Sequence, residues 1–469
     1  MAGSVSRRHA IRTGLAAIGA VAVAPLLPGT ATAATRDGRS APRTSRAVPV
    51  LPWPAANDIV AATRMPTFPN TTFDVTAAPF NANPNGTTDN TAAFARAISA
   101  CNAAGGGHVI VPAGTYLTGA IYLKSNVDLH LETGATLRFS GDVTKFPTVL
   151  TRYEGIECMN HSPMIYAHGE HNIALTGSGV LDAAGTSPWN VGSERTFLES
   201  LVAKGVPPAQ RVVPGSGHFM RSTFVEPYAC DTVLIQGVSL HNSRFWQLHP
   251  TLCTNVTIDG VTTSATNSNT DGCDPESCDH VMINNCTLGA GDDNISIKSG
   301  RDADGRRINV PSQNIVIVSS RFTGPWGAIA LGSEQTGGIQ NVYAFGCVAD
   351  HTRYVLYVKS NTQRGGFSRN INLDSITGRN QKGAWAFVTT TYNGQTGSNP
   401  PAFGGFTITN STGDTSPFAF NVSGLAGDHV RGLTAKNLTF TNITNTDKLS
   451  NVDNVAFNNV TINGRTVTH

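Results

Sequence analysis

The sequence predicts an all-β protein, a parallel β-helix (solenoid) whose open N-terminal end is capped by one helix. Three observations lead there. Short apolar/polar alternations recur along the chain, helical patterning between them is almost absent, and the one clear helical segment precedes nearly all of them.

The repeats come first. Asn172-Ile173-Ala174-Leu175, Thr232-Val233-Leu234-Ile235, Asn255-Val256-Thr257-Ile258 and His280-Val281-Met282-Ile283 share one pattern. It continues in Asn314-Ile315-Val316-Ile317, Asn341-Val342-Tyr343-Ala344, Asn370-Ile371-Asn372-Leu373 and Asn454-Val455-Ala456-Phe457. Copies in the middle of the chain lie about 23 to 35 residues apart, the range of repeat architectures. Strands repeated without helices between them cannot make βαβ units, but they can stack as coils. Asn ahead of a strand suits a corner, because its short amide tolerates left-handed backbone. An antiparallel sandwich would also need many short strands, yet the hairpin signals it requires are scarce.

The helix is predicted after Thr88 or Asp89, with Phe94, Ala97, Ile98 and Cys101 on one face and Gly105 as its stop. A first coil has no neighbour to cover its interior, so this helix is expected to cap it.

At the N-terminus, Arg7-Arg8 precedes an apolar stretch from Ile18 to Leu27 and then Ala31-Thr32-Ala33, a pattern that a signal peptidase cuts. Residues 1–33 are therefore expected to be a twin-arginine-like signal peptide directing secretion, residues 34–54 a basic, Pro-rich flexible linker, and residues 55–469 a single catalytic domain. Removing residues 1–33 leaves 30 basic against 31 acidic residues. No basic field remains for nucleic acid or an anionic membrane surface, and a monomer is expected, as is usual for a capped solenoid.

Eight cysteines in an exported chain make disulfides possible, with Cys273 and Cys278 a plausible local pair. The absence of a Cys-x-x-Cys pair argues against zinc, and no metal or cofactor is expected. Asn267, Asn269 and Asp271 resemble the start of a calcium loop, but Cys278 stands where the closing glutamate is needed.

The densest polar cluster is Asn269-Thr270-Asp271-Gly272 with Gly291-Asp292-Asp293 roughly one coil later. Parallel rungs lie about 4.8 Å apart, so Asp271 and the Asp292/Asp293 pair should meet on one face. Carboxylates held that close cannot all ionise independently, and one should keep a proton. A proton donor beside a base is what glycosidic cleavage requires. Turn-decorating acids would read the same way from these residues alone.

Phe73-Asp74-Val75-Thr76, the run Gly105 to Tyr116, Asn269-Thr270-Asp271-Gly272, Gly291-Asp292-Asp293 and Ser296-Ile297-Lys298-Ser299-Gly300-Arg301 resemble, in order, the motifs of the polygalacturonases, glycoside hydrolase family 28. The resemblance runs from about Phe73 to the C-terminus. It implies a right-handed parallel β-helix that hydrolyses a pectic, galacturonate-containing polysaccharide with inversion. It also implies Asp292 as general acid, with Asp271 and Asp293 positioning and deprotonating water.

Two departures stand out. Pro325-Trp326-Gly327 replaces the family's Gly-His-Gly, and Tyr357-Val358-Lys359 replaces Arg-Ile-Lys. Lys359 keeps a point charge for a uronate, the bidentate arginine is gone, and Trp326 and Tyr357 offer faces for sugar stacking. The expected substrate therefore extends to rhamnogalacturonan or a short or decorated galacturonide. Further sugar contacts are expected from Asn269, Lys298, Arg301 and Tyr392, and Arg306 and Arg307 could serve a neighbouring sugar. His249 reads as structural. Residues 183–228, containing Trp189, Arg211 and Arg221, could wall off one end of a groove. A calcium-dependent lyase and a non-catalytic carbohydrate-binding β-helix remain the alternatives.

Overall fold

In the computed structural model, the described residues are 47–184, 194–445 and 447–469. They form the right-handed parallel β-helix that the repeats predicted. One coil illustrates the plan: Thr254–Asp259, Thr262–Ser264 and a turn through Asp271 lead to the next coil at Asp279–Asn284.

The repeated alternations stack in register. Ile173, Val233, Val256, Val281, Ile315, Val342 and Ile371 pair rung to rung and point inward. All seven are buried, so each coil covers the apolar interior of the one before. The preceding Asn residues take the left-handed conformation expected of corners, for example Asn255 (φ 55°), Asn314 (φ 56°), Asn341 (φ 55°) and Asn370 (φ 56°). Their side chains continue the stack: Asn341 Nδ2 donates to Asn314 Oδ1 (2.9 Å) and Asn370 Nδ2 to Asn341 Oδ1 (2.8 Å).

Helix α1 (Pro54–Ala62) lies against the outside of the solenoid, and α2 (Thr91–Ala103) covers its first coil. The predicted face of α2 is correct, since Phe94, Ala97, Ile98 and Cys101 are all buried. Its N-cap falls at Asn90, one residue beyond the expected position. Asp89 Oδ1 accepts the Thr91 N–H at 2.9 Å, so the acid satisfies a first-turn donor from outside the helix.

The expected signal peptide, residues 34–46 of the expected linker and Trp189 lie outside the described residues. The end of that linker is packed: Leu51 is buried with Val316, Val318 and Tyr343, and Trp53 lies 5.4 Å from the Tyr343 ring. No helix among the described residues is long and apolar enough to cross a membrane.

The Cys273–Cys278 pairing is not formed. All eight cysteines are free and buried. Cys278 stacks instead beneath Cys253 and Cys230, with the Cys253 N–H donating to Cys278 Sγ and the Cys230 N–H to Cys253 Sγ, each at 3.4 Å. The thiols act as small apolar residues that fill equivalent places on successive coils.

Candidate active site

A parallel sheet built from Ile295–Ile297, Gly327–Gly332, Tyr354–Lys359, Ala384–Thr389, Phe420–Ser423 and Lys448–Ser450 forms the face that carries the acids. Bridges Val225↔Leu248, Leu248↔Cys273 and Cys273↔Ile295 continue it toward the N-terminal coils. The Gly272 N–H donates to the Asp293 carbonyl at 3.0 Å, so the two acidic motifs occupy adjacent rungs as expected.

Local chemistry fixes the acids. The Thr270 hydroxyl donates to Asn267 O (2.6 Å) and accepts the Gly291 N–H (3.0 Å), tying one motif to the other. Gly291 is needed there, because a Cβ would stand 2.0 Å from Asn267 O. Gly327 is needed for a similar reason: its N–H donates to Asp293 Oδ1 at 2.7 Å, and a Cβ would come within 2.8 Å of that oxygen.

Asp271, Asp292 and Asp293 each bring a carboxylate oxygen within 4.8 Å of the others. Lys359 Nζ donates to Asp293 Oδ2 at 2.7 Å, and Lys298 Nζ lies 3.3 Å from Asp271 Oδ2, 3.4 Å from Asp274 Oδ1 and 3.3 Å from Glu334 Oε2. Two ammonium groups thus supply the positive charge that a cation would bring to this cluster. Burial opposes charge on Lys298 and Lys359, yet the surrounding carboxylates hold both well above the ordinary lysine range.

The acids differ from one another. Burial, with Asp271 and Asp293 close by, pushes Asp292 up to about 7. Burial also raises Asp271, against the pull of Lys298. Asp292 is half-buried, whereas Asp271 and Asp293 are buried. The group with a proton to give is therefore the more accessible one.

The structure brings Lys298, Tyr357, Lys359 and Tyr392 together around these acids. Lys359 Nζ lies 4.2 Å from the Tyr357 ring and 5.5 Å from the Tyr392 ring. Trp326 is 38 % exposed, and the Arg353 guanidinium lies 5.0 Å from its ring. Asn269 is half-buried and accepts from Arg221 Nη2 at 2.9 Å.

The arginines after the motif are used differently. Arg301, expected to contact sugar, is 3 % exposed and bonded to Glu154 Oε2 (2.7 Å), with Glu334 Oε1 at 3.4 Å. Its buried partners claim the guanidinium, so it braces the site from beneath. Arg307 binds Asp304 and Glu157, and Arg306 binds the backbone carbonyls of Gln363 and Arg364.

Two further acids escaped the sequence reading. Asp274 and Glu334 complete the shell of Lys298. Alternation from Asp271 would send Asp274, three residues on, to the opposite face, and nothing local marks Glu334. Burial disfavours charge on Glu334, but Lys298, Arg301 and Arg364 hold it well below the usual carboxylate range.

Residues 194–213 contribute the helix α3 (Arg195–Ala203), which with α4 (Asp302–Ile308) flanks an antiparallel hairpin, Thr148–Tyr153 with Ile156–His161. That hairpin lies outside residues 183–228 but is tied to them, the Met159 N–H donating to Arg211 O (3.0 Å) and the Val213 N–H to Met159 O (2.9 Å). Arg152 Nη1 donates to Glu276 Oε1 (2.9 Å), Thr151 Oγ1 to Glu226 Oε1 (2.6 Å), and the Arg301 N–H to Gly155 O (3.1 Å). Beneath it Glu226, His249 and Glu276 are fully buried.

Comparison with known proteins agrees with this geometry. The chain is 30 % identical over 373 residues to a Vitis vinifera protein named "Probable polygalacturonase", covering 76 % of this chain and 72 % of that one. It is 26 % identical to the exo-poly-alpha-D-galacturonosidase of Dickeya chrysanthemi, covering 81 % and 69 %. The crystal structure of a hyperthermoactive exopolygalacturonase from Thermotoga maritima superposes with a TM-score of 0.83 at 34 % identity, covering 88 % of this chain and 96 % of that one. The model of the glycosyl hydrolases family 28 matches residues 101–462, and with the acids, lysines and coils in place the chain belongs to that family of glycoside hydrolases.

Proposed function

We propose that this glycoside hydrolase shortens galacturonide chains of pectic origin from one end, releasing galacturonate, without a metal or cofactor. The observation that carries the reading is the hairpin Thr148–His161 seated on Glu226 and Glu276. In this reading the hairpin ends the groove near the acids, so that a chain end fits and an uninterrupted chain does not. The exo-acting names of two relatives support it.

In this reading Asp292 protonates the leaving oxygen, and Asp293, paired with Lys359, acts with Asp271 on the water. Rung spacing alone does not separate retention from inversion. Inversion rests on the family resemblance and on the lysine-braced pair opposite a single protonated acid. Tyr357 removes an arginine from the floor, while Arg353 brings a guanidinium to the rim beside Trp326. That exchange supports a substrate set extending to decorated or short galacturonides or rhamnogalacturonan. Export through the twin-arginine route rests on residues 1–33, and the monomer on the capped solenoid.

Digestion of polygalacturonate with product sizing and ultraviolet absorbance tests the reading. Monomer from the first minutes, with no new absorbance, is expected. Ultraviolet-absorbing unsaturated products abolished by a chelator would replace it with a lyase, and binding without turnover would replace it with a carbohydrate-binding protein.

A further inference from the structure

The polar contacts beneath the hairpin converge on one residue. Tyr166 pairs with Glu226 across one rung, and the bridges Val225↔Leu248 and Leu248↔Cys273 put Glu226, His249 and Asp274 on successive rungs of a single column. Asp274 already belongs to the catalytic end of that column, through Lys298. His249 therefore sits between the catalytic floor and the part that the hairpin covers.

Each of the two buried glutamates divides its oxygens in the same way. Glu226 Oε1 accepts from Thr151 (2.6 Å) and its Oε2 faces His249 Nδ1 (3.3 Å). Glu276 Oε1 accepts from Arg152 (2.9 Å) and its Oε2 faces His249 Nε2 (2.8 Å). One oxygen of each acid thus holds consecutive hairpin residues, and the other holds the imidazole. Thr223 and Thr251 hydroxyls complete the shell, and the Trp246 ring lies 4.9 Å away, edge to face. His249, Glu226, Glu276 and the Arg152 side chain are all fully buried. Two carboxylates against Arg152 alone would leave an uncompensated buried negative charge, which is costly. A singly protonated or uncharged side chain at position 249 cannot donate to both acids and balance them. A residue whose only task was to fill space would not need both ring nitrogens engaged by acids that reach the wall.

We propose that His249 is a positioning residue for chain-end selectivity: by joining Glu226 to Glu276 it fixes the hairpin over the groove floor and so sets where the groove ends. This rests on the reading of the groove as closed at one end. His249 touches no sugar and takes no part in bond cleavage.

The test compares products from a soluble oligogalacturonide for the wild type, H249Q and the charge-balanced E226Q/H249Q. The wild type should release monomer. H249Q, folded by near-ultraviolet circular dichroism, should raise dimer and longer fragments relative to monomer at least about tenfold, and the double variant should return toward monomer release. A folded H249Q with the wild-type product pattern would overturn the proposal. Internal cleavage by the wild type itself would instead remove the closed groove, and the proposal with it. If H249Q does not fold, T151V removes one hairpin bond without altering charge. It should move the pattern in the same direction by a smaller factor, and an unchanged pattern in T151V would overturn the role.

Discussion

Lys359 Nζ lies 2.7 Å from Asp293 Oδ2, both groups being buried, while the neighbouring Asp292 has no lysine within ion-pair distance among the described residues. On the proposed mechanism this asymmetry divides the labour of three crowded carboxyls: the acid with an ammonium partner acts on water, and the acid without one carries the proton.

The first prediction concerns pH. Asp292 is pushed up to about 7 by burial and then by Asp271 and Asp293, and only its protonated form can donate. The rate should therefore fall as pH rises through about 7. Replacing Asp271 by Asn removes one of the charges that raise Asp292, so a ¹³C carboxyl titration of D271N should show Asp292 titrating lower than in the wild type.

The second concerns Lys359. The K359M variant leaves Asp293 buried without its charge partner, which should lower stability by about 3–5 kcal/mol and abolish most turnover. Denaturant unfolding measures the first effect. K359R should not restore activity, because a planar guanidinium cannot replace a point charge inside that cluster.

How much of this was legible in the sequence depended on whether the signal was local. The Asn corners and inward aliphatic residues share one local pattern that recurs along the chain, so the stack from Ile173 to Ile371 could be read directly. Asp271, Asp292 and Asp293 could be read because one coil separates their motifs. Arg301 was misplaced because a charge near the motif was taken to face the groove, whereas Glu154 and Glu334 reach it from segments distant in sequence. The hairpin was missed for the same kind of reason. Thr148–His161 has ordinary strand composition, and its seat is made by Glu226 and Glu276, which only the folded coils bring beneath it.

The third prediction concerns alkaline stability. Burial opposes charge on His249, but hydrogen bonds to Glu226 and Glu276 outweigh it and raise the imidazole from 6.5 to about 9. A raised value means that the folded state binds the proton more tightly than the unfolded chain does. This contribution is complete below about 6.5 and is lost as pH rises through about 9. Unfolding midpoints across that interval should fall in the wild type, and the H249Q variant should lack that part of the fall.

The fourth concerns Trp326. On the proposed reading its exposed ring beside Arg353 stacks on a sugar, so W326A should raise KM roughly three- to tenfold with little change in kcat, as expected for the loss of one aromatic contact. Unchanged KM on both plain and decorated galacturonides would make Trp326 a bystander.

The most direct test of the central claim follows the first product by proton NMR during digestion of a short oligogalacturonide, with D292N as control. The account predicts that galacturonate monomer appears first as the β-anomer and mutarotates afterwards. It predicts that D292N binds the same ligand while turnover falls by about 10²–10⁴. An α-anomer appearing first, fragments from the chain interior, or a D292N variant that retains wild-type turnover would contradict it.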